Sequence, residues 1–336
     1  MSQTTNANVS PSKGVVIYFE REILKHAGPV TVLDKLGMTK QMPKNKGTTI
    51  EFRRPRTFTA ATTPLVEGVT PSSTAFQYDV IQASLKQYGQ VVELTDVIED
   101  THLDPVLNDA AVQCGENVGR TIEALTYGVL RAGTQIEYAN GIQRTDVNTP
   151  INLQKCRAVV RTLMAQKGMM ITRILDGSPN YGTKPVEAGF IAVAHTDCAA
   201  DIRSIPGFTP VSEYGRRSVI HEREIGTVED LRFILSPDLP PFADGGAAKA
   251  GSGVAMQSTS GTNSDVYPVL VFAKEAFGTV ALRGMGSVEP TIIPVGQKTK
   301  DDPLGQRGYI GWKTWFVAKI LNEAWMVRLE VAVTDL

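Results

Sequence analysis

Few residues of this 336-residue chain have the types and spacing that metal binding or catalysis requires. The best candidate is His195-Thr196-Asp197-Cys198, which brings three kinds of metal-binding side chain together. Adjacent Asp and Cys side chains cannot easily converge on one ion, and no second group of ligands lies nearby in the sequence. The segment is more typical of a helix N-terminus, where Thr196 or Asp197 caps free amide groups. We therefore predict no metal site.

Motifs for cofactors and nucleophiles are equally weak. Gly284-Met285-Gly286 follows a strand-like segment, but a dinucleotide-binding fingerprint would need glycine where Glu289 stands, and prolines interrupt the helix that should follow. The sequence contains neither a phosphate-binding G-x-x-x-x-G-K-[ST] loop nor a G-x-S-x-G nucleophile turn. The sequence therefore predicts no catalytic residues and no cofactor, and an enzyme or soluble binding protein is the least favoured alternative.

An arginine cluster is better suited to contacts between proteins. It consists of Arg53, Arg54 and Arg56. Guanidinium groups suit bidentate pairing with carboxylates, so we predict an anchor to a second subunit; a solvated loop base and a phosphate contact are the alternatives. Glu67, farther along the same segment, is a further candidate for a contact between subunits.

A second charged cluster alternates in sign along four successive residues: His221, Glu222, Arg223 and Glu224. This pattern predicts a charged strand edge or turn with ion pairs, within the chain or across a subunit contact. Isolated exposed pairs contribute only about 0–1 kcal/mol each. The cluster is therefore a candidate for subunit contact and a poor one for catalysis.

Charge and composition exclude several classes of protein. Residues 1–60 hold ten basic and four acidic residues, whereas the whole chain carries a net charge of −1 at pH 7. This basic segment predicts a solvated face, or an arm that meets an acidic neighbouring copy or nucleic acid. The overall balance is too neutral for a DNA-condensing protein. No apolar run reaches the roughly 20 residues of a membrane helix, and the polar N-terminus does not resemble a signal peptide.

The cysteines and the hydrophobic content point to a cytoplasmic globular protein. Hydrophobic residues make up 42% of the chain, enough to build a core. Cys114, Cys156 and Cys198 are odd in number and widely spaced, which predicts free buried thiols in a reducing compartment.

A long two-stranded ribbon is the most informative predicted element. Thr48–Arg53 and Phe76–Gln82 both alternate apolar and polar residues, and about 20 residues with three prolines but no period separate them. Such a structureless insert argues against one compact globule, and a ribbon alone is only marginally stable in water. We therefore predict an arm that lies on another subunit.

The other predicted elements alternate helices and strands. Asp104-Pro105 is a good start for a helix of about 28 residues, and further helices are predicted near 14–28 and from 152 to 166. Residues 236–265, rich in Gly and Ser, predict a flexible surface loop. Alternation in residues 312–320 and 325–333 predicts a C-terminal antiparallel hairpin.

Several long motifs resemble one protein family. They are YGQVVELTDVIEDTHLDPVLNDAAVQCGENVGRTIE (88–123), AGTQIEYANG (132–141), SPNYGTKPVEAGFIAVAHTDCAADIRSIPGFTPVSEYG (178–215), GTVEDLRFILSP (226–237) and DPLGQRGYIGWKTWFVAKILNEAWMVRLEVA (302–332). In order, and over roughly residues 15–335, the chain resembles major capsid proteins of tailed bacteriophages, as found in podoviruses and prophages.

This resemblance implies the α+β capsid fold of Hong Kong 97 type. By it, residues 1–45 are an N-terminal arm and 46–95 an extended β-hairpin loop. Residues 96–170 are a peripheral domain with a spine helix at 104–132. Residues 171–310 are an axial domain that contains the flexible loop, and 311–336 are strands that return to the central sheets.

The resemblance also implies a function and partners. The chain would assemble into hexamers and pentamers of an icosahedral head, in the bacterial cytoplasm, and enclose double-stranded DNA without sequence specificity. Portal and decoration proteins are expected partners. Because only about 45 residues precede the loop, we expect a separate scaffolding protein. An encapsulin-like nanocompartment shell of the same fold is the alternative.

Overall fold

The computed structural model describes residues 31–43, 45, 47–65, 67–68, 70–101, 106–175, 183–215, 219–249, 255–283, 288–298 and 302–336. The predicted helix near 14–28, the helix start at Asp104-Pro105 and the Gly284-Met285-Gly286 segment lie outside these residues. Helices and strands are mixed along the chain, which confirms the α+β prediction.

We number the elements of the described residues in chain order. The strands are β1 Met38–Pro43, β2 Thr49–Pro55, β3 Tyr78–Ser84, β4 Lys86–Thr95, β5 Ile136–Tyr138, β6 Ile171–Leu175, β7 Thr183–His195, β8 Phe208–Pro210, β9 Glu224–Val228, β10 Leu231–Ser236, β11 Tyr267–Phe272, β12 Phe277–Arg283, β13 Val288–Ile293, β14 Arg307–Ile320 and β15 Met326–Val331. The α-helices are α1 Asp96–Thr101, α2 Val106–Arg131, α3 Leu153–Ala165 and α4 Ala199–Arg203.

A five-stranded sheet is built around the long strand β14. The strands β12 and β13 lie along one edge of β14, and β4 lies along the other. The strand β1 pairs with β12. Successive residues of β14 point to opposite sides of the sheet, and apolar residues of this strand pack on both sides. Ile310 and Trp312 pack against Cys114 and Val118 of α2, so the long helix covers one face of the sheet.

An eight-stranded sheet forms the second part of the core. Its order is β5-β15-β11-β7-β10-β9-β8, with β6 beside β7. The strands β10, β11 and β15 are buried along their whole length, because apolar layers cover both faces. Helix α3 packs on one face, and the C-terminal half of α2 with the 3-10 turn Leu33–Lys35 packs on the other.

The two longer helices agree with the sequence. The helix α2 spans 26 residues and ends at Arg131, close to the predicted end at 132. The helix α3 begins where the Asn152 side chain accepts a hydrogen bond of 2.9 Å from the Lys155 amide. It ends where Lys167 adopts a φ of 57° and the Gly168 amide donates to the Leu163 carbonyl at 2.9 Å. None of the described helices is long and apolar enough to span a bilayer.

The predicted C-terminal hairpin is wrong. The strand β14 pairs with β4 on one side and with β12 and β13 on the other, whereas β15 lies between β11 and β5 in the second sheet. Both strands are interior strands with partners on both edges, so neither has an edge left for the other. The strands β14 and β15 lie in the five-stranded and the eight-stranded sheet, and the assignment of 311–336 as a returning C-terminal unit stays a prediction.

The described residues between 236 and 265, where the sequence predicts a flexible loop, form backbone hydrogen bonds with one another and with the body. Phe242 and Val266 exchange backbone hydrogen bonds of 2.8 and 3.1 Å, and the Ala247 amide donates to the Val147 carbonyl at 3.0 Å. Gly246 permits this close approach, because a Cβ there would collide with the same carbonyl. At Gly246 a small residue therefore allows tight backbone packing, and the flexibility of the loop stays a prediction.

Residues assigned to the extended loop divide between two structures. Only β2 and β3 form a separate two-stranded sheet, whereas Lys86–Thr95, the strand β4, runs along β14 inside the five-stranded sheet. The reason is that Tyr88, Val92 and Leu94 pack against α2. The ribbon itself therefore comprises residues 49–84. The names of the other domains remain predictions.

Candidate assembly surface

The ribbon is anchored at its base. Its strands pair in antiparallel register from Thr49 opposite Ser84 to Pro55 opposite Tyr78. The residues that face the five-stranded sheet are apolar, and Phe52 and Ala83 are 5% and 3% exposed. They pack with Met42, Val280 and Trp315 on the face of the sheet opposite α2. The base of the ribbon thus belongs to the core of its own chain.

The distal part of the ribbon leaves the body. Every described residue from 56 to 77 is exposed. The described backbone of this segment adopts no helix or strand. An exposed segment of this length without helix or strand is what the sequence predicts for an arm that needs a second surface.

Three aromatic side chains at the neck of this distal part form an exposed cluster that we call the aromatic ladder: Phe58, Phe76 and Tyr78. They are 58%, 55% and 54% exposed. The ring centroids of Phe58 and Phe76 are 5.9 Å apart, and those of Phe76 and Tyr78 are 4.7 Å apart in an edge-to-face arrangement. Val80 continues the same face of the ribbon and is 49% exposed. Contiguous exposed apolar surface of this kind is typical of protein interfaces.

A second set of exposed apolar side chains lies in β4, in α1 and in the turn before β14, and we call it the β4–α1 patch. Its members are Val91, Val97, Ile98 and Leu304. Val97 and Leu304 are 63% and 73% exposed, and the Asp96 amide donates to the Gln306 carbonyl at 3.0 Å, which joins α1 to the turn before β14. The described part of the chain thus carries two separate sets of exposed apolar side chains.

The structure gives each residue of the arginine cluster a partner within the chain. Arg53 pairs with Glu51 at 2.8 Å on the outer face of the ribbon, and Arg56 pairs with Asp79 at 2.6 Å. Arg54 stacks over the ring of Trp325, with its guanidinium carbon 4.5 Å from the ring centroid. These contacts stiffen the ribbon and tie it to the body, and a role in subunit contact stays a prediction.

Glu67 is exposed near the distal end of the ribbon, and none of the described residues forms an ion pair with it. The structure does not bring Glu67 together with the arginine cluster, which lies at the ribbon's neck. Its role as a contact between subunits also stays a prediction.

Glu224 is buried and fully satisfied within its own chain. Its carboxylate accepts hydrogen bonds from Arg232 Nε at 2.8 Å, from the Tyr214 hydroxyl at 2.8 Å and from the Ile220 amide at 2.6 Å. The side chains of Glu224 and Arg232 are 0% and 4% exposed. Glu224 therefore pins the loop before β9 to the eight-stranded sheet, and this arrangement leaves it no surface to offer a neighbour.

The remaining residues of the alternating cluster differ in exposure. Glu222 is exposed, whereas His221 and Arg223 are half-buried. His221 Nδ1 accepts a hydrogen bond from the Arg223 amide at 3.1 Å, and the same imidazole also hydrogen-bonds the backbone of Thr31. His221 thus lies against the first described residue of the chain, and only Glu222 has the exposure expected of a rim contact.

His195 and its neighbours form a turn, with the cap supplied by an unexpected residue. Thr196–Cys198 is a 3-10 turn, and His195 Nδ1 accepts from the Asp197 amide at 3.2 Å, so the imidazole caps it in place of the predicted Thr196 or Asp197. The Asp197 carboxylate accepts from the Tyr267 hydroxyl at 2.9 Å. No group of three or more side chains suited to a metal ion occurs among the described residues.

Sequence reasoning missed Glu123. It lies in α2 next to Ile122, one position outside the apolar stripe of the helix. The spacing of apolar residues therefore gave no sign that Glu123 is buried. The structure buries it completely, and its carboxylate accepts hydrogen bonds from the amides of Val32 and Leu33. Only the tertiary fold reveals this contact, because 90 residues separate the partners.

The arrangement of a spine-like helix under one sheet, a ribbon leaving that sheet and a second packed sheet defines a class of shell proteins. The structure resembles the capsid of Ralstonia phage GP4, with a TM-score of 0.65 and 12% identity, over 100% of this chain and 95% of that one. It also resembles a holo-SrpI encapsulin complex from Synechococcus elongatus, with a TM-score of 0.51 and 10% identity, over 100% and 93%. The fold is the Hong Kong 97-type capsid fold.

Sequence comparison narrows the class to one family. A major capsid protein of Pseudomonas phage KPP21 is 22% identical over 271 residues, which cover 76% of this chain and 68% of that protein. The model of the phage capsid protein family matches residues 78–329. The chain therefore belongs to the phage capsid protein family.

Proposed function

We propose that this chain is the major capsid protein of a tailed bacteriophage and builds the icosahedral head from hexamers and pentamers. The head encloses double-stranded DNA without reading its sequence, and assembly takes place in the bacterial cytoplasm. Separate scaffolding, portal and decoration proteins are its further partners. The chain contributes structure and no catalysis. The single observation that carries this proposal is the ribbon of residues 49–84, whose described distal residues from 56 to 77 are all exposed and form no helix or strand.

The two exposed apolar surfaces suggest how copies meet. The aromatic ladder and the β4–α1 patch are different surfaces, so a contact between them is heterologous, and it closes into a ring when repeated by rotation. Aromatic side chains in such a contact bury large areas and contribute strongly to affinity. Interfaces that hold permanent assemblies bury roughly 2,000 Å² or more. A projecting arm reaches such an area without enlarging the body of the subunit.

Removal of the aromatic ladder tests this function. We expect F76S/Y78S to leave the unfolding midpoint of the single chain unchanged, because both side chains are more than half exposed. Shell formation should be lost, because the arm loses two of the three aromatic side chains that it would bury against a neighbour. Sedimentation velocity and negative-stain electron microscopy of the expressed protein measure the result.

The matched control is M164S on α3. Met164 is 45% exposed and lies outside both proposed contact surfaces, so its loss removes a similar exposed apolar group. We expect shells of normal yield from M164S. Normal shells from F76S/Y78S would contradict the proposed role of the ladder.

A nanocompartment shell is the second candidate, and the likeness to the encapsulin complex favours it. The family match and the capsid protein relative support the phage function more strongly. The contents of particles distinguish the two: DNA-filled particles support the capsid, and particles loaded with a host enzyme support the nanocompartment.

A further inference from the structure

The first described residues of the chain are buried in its core. Thr31, Val32 and Leu33 are 8%, 0% and 0% exposed, and the 3-10 turn Leu33–Lys35 follows directly. Glu123 of α2 is also 0% exposed. One of its carboxylate oxygens, Oε2, accepts from the Val32 amide at 3.1 Å and from the Leu33 amide at 3.0 Å, and Oε1 accepts from the Leu33 amide at 3.2 Å. A single side chain thus holds two of the turn's free amides.

A second side chain holds the same segment from another element. His221 hydrogen-bonds the backbone of Thr31, and its Nδ1 accepts from the Arg223 amide at 3.1 Å. An imidazole nitrogen that accepts carries no proton, so His221 is the neutral tautomer with its proton on Nε2. The segment 31–33 is therefore held between α2 and the loop that precedes β9.

The charges around Glu123 give it little compensation. Burial raises the pKa of Glu123 to about 7, the negative charges of Asp34 and Asp238 raise it further, and the two amides act in the opposite direction. Asp34 lies beside Lys35 and faces Thr279, and burial raises its pKa as well. The carboxylate thus takes up a proton near neutral pH although two amides point at it.

The charges around His221 keep it neutral. Burial lowers the pKa of His221, and the nearby cations Lys35 and Arg223 lower it further, while Glu222 acts in the opposite direction. His221 therefore does not gain a charge above its ordinary titration range. Between pH 6 and pH 8 Glu123 titrates through its pKa, whereas His221 binds a proton less readily than an ordinary histidine.

We propose that Glu123 and His221 form a proton-sensitive clasp that holds Thr31–Leu33 against the core and loosens when Glu123 loses its proton. The proposal goes beyond the shell function, because it concerns one segment within a single chain. It would hold even if the chain formed no shell.

The direction of the pH dependence follows from linkage. When the clasp is closed the pKa of Glu123 is about 7, and when it is open and solvated the pKa returns to its ordinary value of 4.5. The closed form binds the Glu123 proton more tightly, so the contribution of Glu123 to closure is present in full below pH 4.5 and is lost as pH rises through 7. His221 acts in the opposite direction, because its lowered pKa means that its protonation at low pH favours opening. Taken by themselves, the Glu123 values increase the opening equilibrium about tenfold between pH 6 and pH 8.

Amide hydrogen exchange of the full-length unassembled chain tests the clasp. The probes are the amides of Val32 and Leu33, and the buried amides of β15 in the same sample correct for the intrinsic effect of pH. We expect the protection of the two amides, relative to β15 and divided by the same ratio in E123Q, to fall about tenfold from pH 6 to pH 8. In E123Q, which carries a neutral residue of the same shape, the protection relative to β15 should not fall as pH rises.

Glu116 supplies a matched control on the same helix. It pairs with Arg120 at 3.6 Å and makes no contact with segment 31–33, so E116Q should keep the tenfold change. If E123Q fails to fold, D238N replaces it: loss of that charge should move the midpoint of the transition to lower pH. Constant relative protection in the natural sequence, or a tenfold change that survives in E123Q, would overturn the proposal.

Discussion

Replacement of Glu224 by glutamine removes one charge from the most deeply buried ion pair of the eight-stranded sheet. Glu224 and Arg232 face each other across β9 and β10, with 2.8 Å between the Arg232 Nε and the carboxylate. The Tyr214 hydroxyl and the Ile220 amide complete the coordination of the carboxylate. The loop between these residues is thus organised by one buried negative charge.

The expected loss in the free energy of unfolding follows from the charge that Arg232 keeps after the substitution. In E224Q the guanidinium of Arg232, with a side chain 4% exposed, keeps its charge in the interior and loses the Glu224 carboxylate. Removal of one member of a buried pair costs about 3–5 kcal/mol. Because a folded domain has a free energy of unfolding of about 5–15 kcal/mol, this is a large fraction of the total. Y214F removes one hydrogen bond and should cost about 1 kcal/mol.

Urea unfolding of the unassembled chain, followed by tryptophan fluorescence, measures the loss. A control on the same hairpin is E229Q, because Glu229 pairs with Arg157 at 2.5 Å but both side chains are exposed by 43% and 62%. Solvent screens that pair, so E229Q should change the unfolding midpoint little. The double variant E224M/R232M should be more stable than E224Q, because it leaves no charge uncompensated.

A loss below about 1 kcal/mol in E224Q would refute this reasoning, since such a value is typical of a solvated pair. So would a double variant less stable than E224Q. Either result would mean that water reaches Arg232 in solution and that the pair does not organise the loop.

Two further predictions concern backbone approach and thiol chemistry. G311A should destabilise the chain by about 1–3 kcal/mol, because its Cβ would lie 2.8 Å from the Gln90 carbonyl oxygen. The same substitution should expose the amides of β4 to exchange. The control is G128A in α2, where a Cβ has open space, and it should be neutral or stabilising by about 0.5–1 kcal/mol. Burial raises the pKa of all three thiols, that of Cys156 to about 12, so no thiol should react with iodoacetamide at pH 8 until urea unfolds the chain. Rapid alkylation of the folded protein, read by mass spectrometry, would show that the thiols are not enclosed.

Local pattern predicted many of the elements. The spacing of apolar residues predicted α2 and α3 to within a few residues, because a helix that covers a sheet must keep one apolar stripe. Alternation predicted the ribbon strands and the common face of Phe76, Tyr78 and Val80, which the structure leaves exposed. Alternation also predicted β14 and β15 as strands.

Partner choice could not be predicted in the same way. Alternation in β14 and β15 is compatible with a hairpin, and it is equally compatible with two interior strands in different sheets. The choice depends on β4, β11, β12 and β13, which come from distant parts of the chain. A sequence window contains no information about the strands that compete for the same edge.

The sequence by itself determined which residues form helices and strands, which face of the ribbon is apolar, and, through its long motifs, the resemblance to capsid proteins. The tertiary structure alone decided which charged side chains are buried and which groups they bind. Glu224 looked like a residue of a charged edge and is buried against Arg232, and Glu123, which nothing marked, binds the amides of Val32 and Leu33. The physical reason is that a buried charge is stabilised by groups that only folding brings within 3 Å, whereas apolar periodicity is a property of the neighbouring residues themselves.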